Sequence, residues 1–448
     1  MRQPLSVLAS WLLLPAPPGA EGVLVEGVSF DSRQVRPGNL FVAVSGKQTD
    51  GHLFVEHAYR QGAAAALVSR PSGSPLPQLL VPDTVAALQT LASRVREEAK
   101  FRLVAVTGSV GKTTTKAMLA SLLRCRYRVG ETQGSRNSQM GLPTELLNLH
   151  EDVEWFVAEA GMSQEGELAR LGKVLRPQAL LYTRIAPVHL EFFPSLAAIA
   201  EAKAELLAFL ETGGTLVINA DDPWQTTFPA RFSGFCRSYG TRDTADLRLA
   251  RLTLHGLLGS RFLLVGDGLR QEIFLPLAGR HQAENFLAAA CMALSLGVSP
   301  QEIGEAATSL EPQPHRGKVL QLKSGVTLVD DSYNASPTAV QAMLELLAQS
   351  PGRRVAVLGE MLELGKEGPA LHRQLGEAAR GRCEVLFTVG GANARVMAEV
   401  FGGQWYATVE EAIAQVQMAL RPRDVVLVKG SRGIGLDRLV AALSEGKS

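Results

Sequence analysis

At 448 residues the chain is too long for one ordinary domain, so two to four are expected and three is the central reading. A formal net charge of +1 argues against a nucleic-acid surface or a polybasic membrane anchor, and 46% hydrophobic with 20% charged residues is a globular composition. Cys125, Cys236, Cys291 and Cys383 form no C-x-x-C pair, which argues against a zinc site or a disulfide framework and predicts four buried thiols in a reducing compartment.

The opening "MRQPLSVLASWLLLPAPPGA" imitates a secretory leader, with an early Arg, an apolar run and a small-residue end. The run is broken by Ser6, Ala9 and Ser10 and leads into structured sequence, so an amphipathic first helix is expected instead. No stretch of 18 or more apolar residues occurs, so no transmembrane span is expected. Residues 22–83 hold two strand-like runs, "GNLFVAVSG" and "GAAAALVSR", around a helical "GHLFVEHAYRQG", which predicts a small α/β unit. A Pro-rich passage, "RPSGSPLPQLLVPD", marks its end. From residue 84 to 312, "RLVAVTG", "WFVAEAG", "ALLYTRI" and "GTLVINADD" alternate with helical segments, predicting a parallel sheet covered on both faces. "SLEPQPHRGKV" carries two prolines and reads as a second boundary. Beyond it "VTLVDDSYN", "RRVAVLGEM", "EVLFTVGG" and "DVVLVKGSR", each followed by a helix, predict a Rossmann-like α/β domain over 313–448.

Ligands in open parallel sheets gather at the carboxyl ends of strands. There lies "TGSVGKTT", Thr107 to Thr114, between a strand and the helix "TTKAMLASLL". Val106 stands where the usual phosphate-loop spelling has its first glycine. Gly108 and Gly111 still allow a tight turn that aims backbone N–H groups at an anion, Lys112 offers a cation to phosphates, and Thr113 a hydroxyl to Mg²⁺. The bland alternative is a glycine turn with an exposed lysine. Glu159 ends the next apolar strand, where a carboxylate needs a partner; a magnesium ion would serve, or the residue is a solvated loop glutamate. His189 follows the third strand and by itself reads as a packed core histidine. Lys203, between Glu201 and Glu205 on a helix, reads by itself as solvated. Arginines far outnumber the 11 lysines, so Lys112, Lys203 and Lys429 stand out weakly as places where Arg cannot serve.

Together "TGSVGKTT", "EAGMSQEGELARL", "HLEFF…AKAEL", "GRHQAENFLAAA", "PHRG", "DDSYNASP" and "AVLGEMLELG" resemble the Mur ligase family over nearly the whole chain. The resemblance implies a three-domain α/β protein: 1–83 an N-terminal UDP-MurNAc-peptide-binding domain, 84–312 a central parallel-sheet ATP-binding domain, 313–448 the Rossmann-like domain. It implies a cytoplasmic, ATP-dependent, amide-forming ligase of peptidoglycan precursor synthesis, working as a monomer through an acyl phosphate. "DDSYNASP" and "AVLGEMLELG" resemble the members that join D-Ala-D-Ala to UDP-MurNAc-tripeptide.

Carried over residue by residue, Thr107, Gly108, Ser109, Val110, Gly111, Lys112, Thr113 and Thr114 would hold the ATP phosphates. His281 and Asn285 match positions near the adenine, Arg316 the arginine that reaches the γ-phosphate, and Asp331 the aspartate near the ribose. Thr113 and Glu159 would bind one Mg²⁺, and His189 a second with Lys203, which matches a lysine that several members carbamylate. Lys112, His189, Lys203 and Arg316 would carry the catalysis. Ser32, Arg33, Asp50 and His52 match segments that cradle the UDP-sugar, Asn137 a loop facing the sugar-peptide, and Tyr333 and Asn334 the cleft. Arg316 and Asp331 would join Lys112 only when the third domain swings in.

Val110, Ser135 and Ser138 depart from asparagines usual in the family. The rival readings are the ligase that adds the third peptide residue, whose D-N-P-R string is absent here, and folylpolyglutamate synthase, which lacks the first domain. A non-catalytic homologue that binds nucleotide or sugar, and a generic phosphate-loop kinase or GTPase, complete the alternatives.

Overall fold

A computed structural model describes residues 1–46, 49–150, 152–266 and 268–445. Lys47 and Gln48, inside the first-domain segment matched above, lie outside them. The contacts divide the chain into two compact units: Met1–Thr107, Arg126–Leu180 and Lys203–Gly214 form the first, and Gly108–Cys125, Leu181–Ala202 and Thr215–Ser448 the second.

In the first unit, β1 (Arg2–Pro4) pairs antiparallel with β2 (Leu24–Glu26), and the expected first helix lies between them at Leu5–Trp11. Leu5, Leu8 and Ala9 are its buried face, which is why the opening is a structural helix with apolar spacing. A parallel sheet follows, in the order β3 (Val28–Ser29), β4 (Leu40–Val42), β5 (Ala65–Val68) and β6 (Gln78–Leu80). Its core joins Phe41, Ala43, Val55, Ala58, Ala66 and Val68. Asp83 then accepts from the N–H groups of Val85 and Ala86 and starts the helix Thr84–Glu98. Three parallel strands complete the unit: β7 (Arg102–Thr107) pairs with β9 (Trp155–Glu159), which pairs with β8 (Val129–Glu131). Every residue of β9 is buried, as a strand covered on both faces requires. β10 (Ala179–Tyr182) starts in this unit and ends in the next.

One side chain fastens these elements. Arg96, on the helix Thr84–Glu98, is buried and donates to Leu175 O at 2.8 Å, Phe101 O at 3.2 Å, Arg176 O at 3.1 Å and Gln178 Oε1 at 2.8 Å. Four acceptors offset the cost of taking the guanidinium out of water, and burial lowers its pKa.

In the second unit, β11 (Thr215–Asn219) and β12 (Phe235–Gly240) run parallel, and β13 (Leu247–Leu254) runs parallel to β12. The parallel pattern expected from 84 to 312 stops there. β14 (Ser260–Gly266) and β15 (Leu269–Leu275) are antiparallel, and their alternating burial shows strands half open to water. The C-terminal region is a six-stranded sheet, in the order β16 (Lys318–Gln321), β17 (Thr327–Asp330), β21 (Val425–Lys429), β18 (Arg354–Gly359), β19 (Val385–Val389) and β20 (Gln404–Tyr406). Only β16 is antiparallel. Separate apolar clusters cover it, one around Leu344, Leu358 and Leu427 and one around Val357, Val428 and Leu439.

The cysteines correct one expectation. Cys291 and Cys383 are buried, Cys236 is partly so, and Cys125 is exposed. Burial pushes the Cys236 thiol up to about 11 and that of Cys383 to about 12, so both stay protonated at neutral pH.

Candidate active site

In the second unit the loop after β7 passes directly into the helix Lys112–Leu123. Gly108 (φ +145°) and Gly111 (φ +84°) take left-handed backbone, and neither has room for a Cβ: one on Gly108 would meet Thr183 Oγ1 at 2.0 Å, one on Gly111 would meet Asn285 Oδ1 at 2.4 Å. The turn is braced from behind, since Ser109 N–H donates to Arg184 O at 2.7 Å and Thr183 Oγ1 donates to Val110 O at 2.7 Å. Lys112 Nζ curls over the turn and donates to Gly108 O at 2.9 Å and Ser109 O at 3.1 Å. Ser109 Oγ is buried with no hydrogen-bond partner. In the first unit the preceding Thr107 is fully buried and donates to Ala160 O at 2.8 Å, which makes it a brace.

Arg316, expected here once the third domain swings in, reaches the start of the helix that follows this loop. Its Nη2 donates to Thr113 Oγ1 at 3.0 Å while its guanidinium lies 4.2 Å over the Tyr333 ring. Arg432 lies 5.2 Å from the centroid of the same ring and donates to its hydroxyl at 2.9 Å.

A cavity of about 770 Å³ opens beside the loop, lined by Val110, Gly111, Thr114, His281, Asn285, Arg316 and Asp331 among others. That volume suits a nucleotide. Gln282 lines it too, and its Oε1 is buried with no hydrogen-bond partner, an acceptor that a ligand's donor would satisfy. Burial lowers the pKa of the His281 imidazole and raises that of the Glu284 carboxyl on the same wall. Asn285, carried over as an adenine contact, packs against Gly111 of the turn.

Of the four residues carried over as metal ligands, Thr113 and His189 belong to the second unit, Glu159 and Lys203 to the first. His189 is no packed core histidine: its side chain is 25% exposed and Nδ1 lies 2.5 Å from Glu363 Oε2. Both residues have left-handed backbone, φ +55° and +63°. Glu159 is buried at the end of β9; Oε1 accepts from Asn137 Nδ2 at 2.6 Å, and Oε2 has no hydrogen-bond partner. A carboxyl oxygen left bare inside the protein fits a cation ligand. Among the described residues no group of three or more His, Cys, Asp or Glu is gathered into a cage.

Lys203 corrects the reading from spacing: it is 1% exposed. The glutamates that flank it are engaged elsewhere. Glu201 pairs with Arg231, and Glu205 accepts from the N–H groups of Gly166 and Ala169 at the start of the helix Glu167–Leu175.

The first unit has a groove of its own, about 1550 Å³, lined by Arg33, Gln34, Arg36, Arg128 and Arg136 among others. Asp31 caps the short turn that carries Ser32 and Arg33, and the Arg33 guanidinium holds its carboxyl below the usual range. Asp50 and His52 face each other: His52 Nδ1 lies 2.7 Å from Asp50 Oδ1, and Nε2 accepts from Ser69 N–H at 2.9 Å. Both ring nitrogens are engaged, so His52 acts as a buried brace of this region. Gln282, Glu363 and Arg432 escaped the sequence reading. Only Gln282 had a signal, its place between His281 and Asn285.

Three family models match successive parts of the chain: the Mur ligase family catalytic domain over 24–96, the Mur ligase middle domain over 106–293 and the Mur ligase glutamate ligase domain over 315–432. The chain is 36% identical over 431 residues to the UDP-N-acetylmuramoyl-tripeptide–D-alanyl-D-alanine ligase of Escherichia coli K12, covering 94% of each chain. Its fold is similar to that of MurF from Acinetobacter baumannii, with TM-score 0.89 and 28% identity over 100% of this chain and 99% of that one. It is also similar to the MurF ligase of Thermotoga maritima in complex with ADP, with TM-score 0.82 and 29% identity over 94% and 97%. A phosphate loop met by Arg316, on a chain that such relatives match almost from end to end, leaves one conclusion: the chain belongs to the Mur ligase family.

Proposed function

We propose that the chain joins D-Ala-D-Ala to the C-terminal carboxylate of UDP-MurNAc-tripeptide at the expense of ATP, forming UDP-MurNAc-pentapeptide for peptidoglycan. The relatives matched above carry that activity in their names. The observation that carries the reading is the meeting of Arg316 with Thr113 beside Lys112.

A carboxylate oxygen of the tripeptide attacks the γ-phosphorus of ATP, the P–O bond to the β-phosphate breaks and ADP leaves, so two anions must meet. Unit charges 4 Å apart repel by about 4 kcal/mol at an effective dielectric near 20. Lys112 and Arg316 bring the opposing charge, Arg316 held in place by Tyr333. Thr113 and Glu159 would each offer magnesium an oxygen, and His189 and Lys203 are the further candidate ligands; the metal would neutralise phosphate charge. The amine then attacks the acyl carbon: an N–C bond forms, the C–O bond to phosphate breaks, phosphate leaves and the nitrogen loses a proton. Lys203 would join the metal ligands as a carbamate, CO₂ adding to its neutral amine with loss of a proton. The arginine-lined groove of the first unit suits the diphosphate of a nucleotide-sugar. Domain boundaries of 1–83, 84–312 and 313–448, two magnesium ions, a monomer and a cytoplasmic place belong to the same reading.

The test is phosphate release with ATP and UDP-MurNAc-tripeptide across a panel of amines. D-Ala-D-Ala should give both phosphate and the pentapeptide product, single amino acids and glutamate neither. Turnover with a single amino acid on a shorter UDP-sugar peptide, and none with D-Ala-D-Ala, would reassign the chain to the step before.

A further inference from the structure

Lys429 ends β21 with a side chain only 4% exposed. Its ammonium donates to Asp331 Oδ2 at 2.5 Å and to the Asn334 carbonyl at 2.9 Å. Lys429 and Asp331 both line the 770 Å³ cavity that reaches Val110, Gly111 and Thr114. The lysine takes one oxygen of Asp331. The other, Oδ1, has no hydrogen-bond partner among the described residues, and the side chain keeps 16% of its surface open.

We propose that Lys429 is a positioning residue. It holds the Asp331 carboxylate so that Oδ1 faces the cavity, where it accepts from the hydroxyl pair on the sugar of a nucleotide whose phosphates lie on the 108–114 loop. The inference rests on the nucleotide reading of this site. Two physical demands support it. A carboxylate that swings between rotamers cannot select a sugar hydroxyl, and an anchored one can, because its ordering cost is met on folding. A bare carboxylate also repels a polyanionic ligand, and the adjacent ammonium cancels that charge at short range. The balance is visible at His281, where Asp331 and Lys429 act in opposite directions and burial decides the outcome.

Calorimetric titration of the full-length chain with ADP, 2′-deoxyADP and 3′-deoxyADP in the presence of Mg²⁺ tests this. The wild-type chain should lose roughly tenfold or more in affinity when the hydroxyl facing Asp331 is removed. In Lys429→Met, ADP should weaken to the deoxynucleotide level, so that the preference shrinks to about twofold or less, and KM for ATP should rise more than kcat falls. Asp331→Asn should do the same, and the double variant should be no worse than the weaker single one. Should Lys429→Met fail to fold, the double variant, which removes both charges together, gives the same reading. An equal loss for all three nucleotides, or a preference that survives in either variant, overturns the proposal while nucleotide binding stands. A wild-type chain that binds no ADP overturns the nucleotide reading itself.

Discussion

Lys112 sits over the phosphate turn with its ammonium on two loop carbonyls, half-buried and outside the packed core. Lys112→Ala should therefore cost kcat/KM roughly a hundredfold to a thousandfold while thermal melting stays within a degree or two. Wild-type turnover in that variant would remove the loop from the mechanism. Lys203 makes the opposite case, because burial means truncation acts on packing as well as on chemistry. Lys203→Ala should be nearly inactive and partly restored by short-chain carboxylates, which replace a carbamate but not an ammonium. Intact mass in bicarbonate supplies an independent reading, and full activity without additive would sink the carbamate.

At the scale of elements, the hydrogen bonds of Arg96 and His372 tie separate pieces of chain together. Arg96→Met would strip partners from three backbone carbonyls in the first unit, and a loss of about 2–4 kcal/mol in unfolding free energy is expected from denaturant melts. His372, fully buried, accepts from Met361 N–H at 2.9 Å through Nε2 and lies 2.7 Å from Gly368 O through Nδ1, joining the 359–367 loop to the helix Gly368–Ala379. Burial lowers its pKa below the usual 6.5, so the unfolded chain takes up the proton first as pH falls. Its contribution to stability is whole above pH 6.5 and shrinks below it. His281 has the same sign. Melting temperature should fall between pH 7 and pH 5, and His372→Gln should flatten that slope without abolishing it. An unchanged slope would mean that the acid sensitivity lies elsewhere.

For the whole molecule, the six-stranded C-terminal sheet has apolar clusters of its own, so a 313–448 fragment should unfold cooperatively by heat; a broad, non-cooperative melt would move the proposed boundary. The central strands of this sheet, β17, β18, β19 and β21, and β7, β9, β10 and β11 were legible because buried parallel strands are short apolar runs, whereas the short strands β8, β16 and β20 were not read. The β13–β15 hairpins were not, since "RLTLHGLLGSRFLLVGDG" mixes polar and apolar residues as half-exposed antiparallel strands do. The phosphate loop was legible as local spacing. Lys203 was misread because burial depends on what packs over a helix, and Glu363 and Arg432 passed unnoticed because their partners lie far off in the chain. One of those distant pairs bears on motion. His189 and Glu363 meet across 174 residues, and each is in a backbone shape that L-residues adopt at a cost of about 1–2 kcal/mol. Were the two loops to part, that strain would relax and offset part of the lost contact, so the junction holds its two halves in register less firmly than its hydrogen bond alone implies.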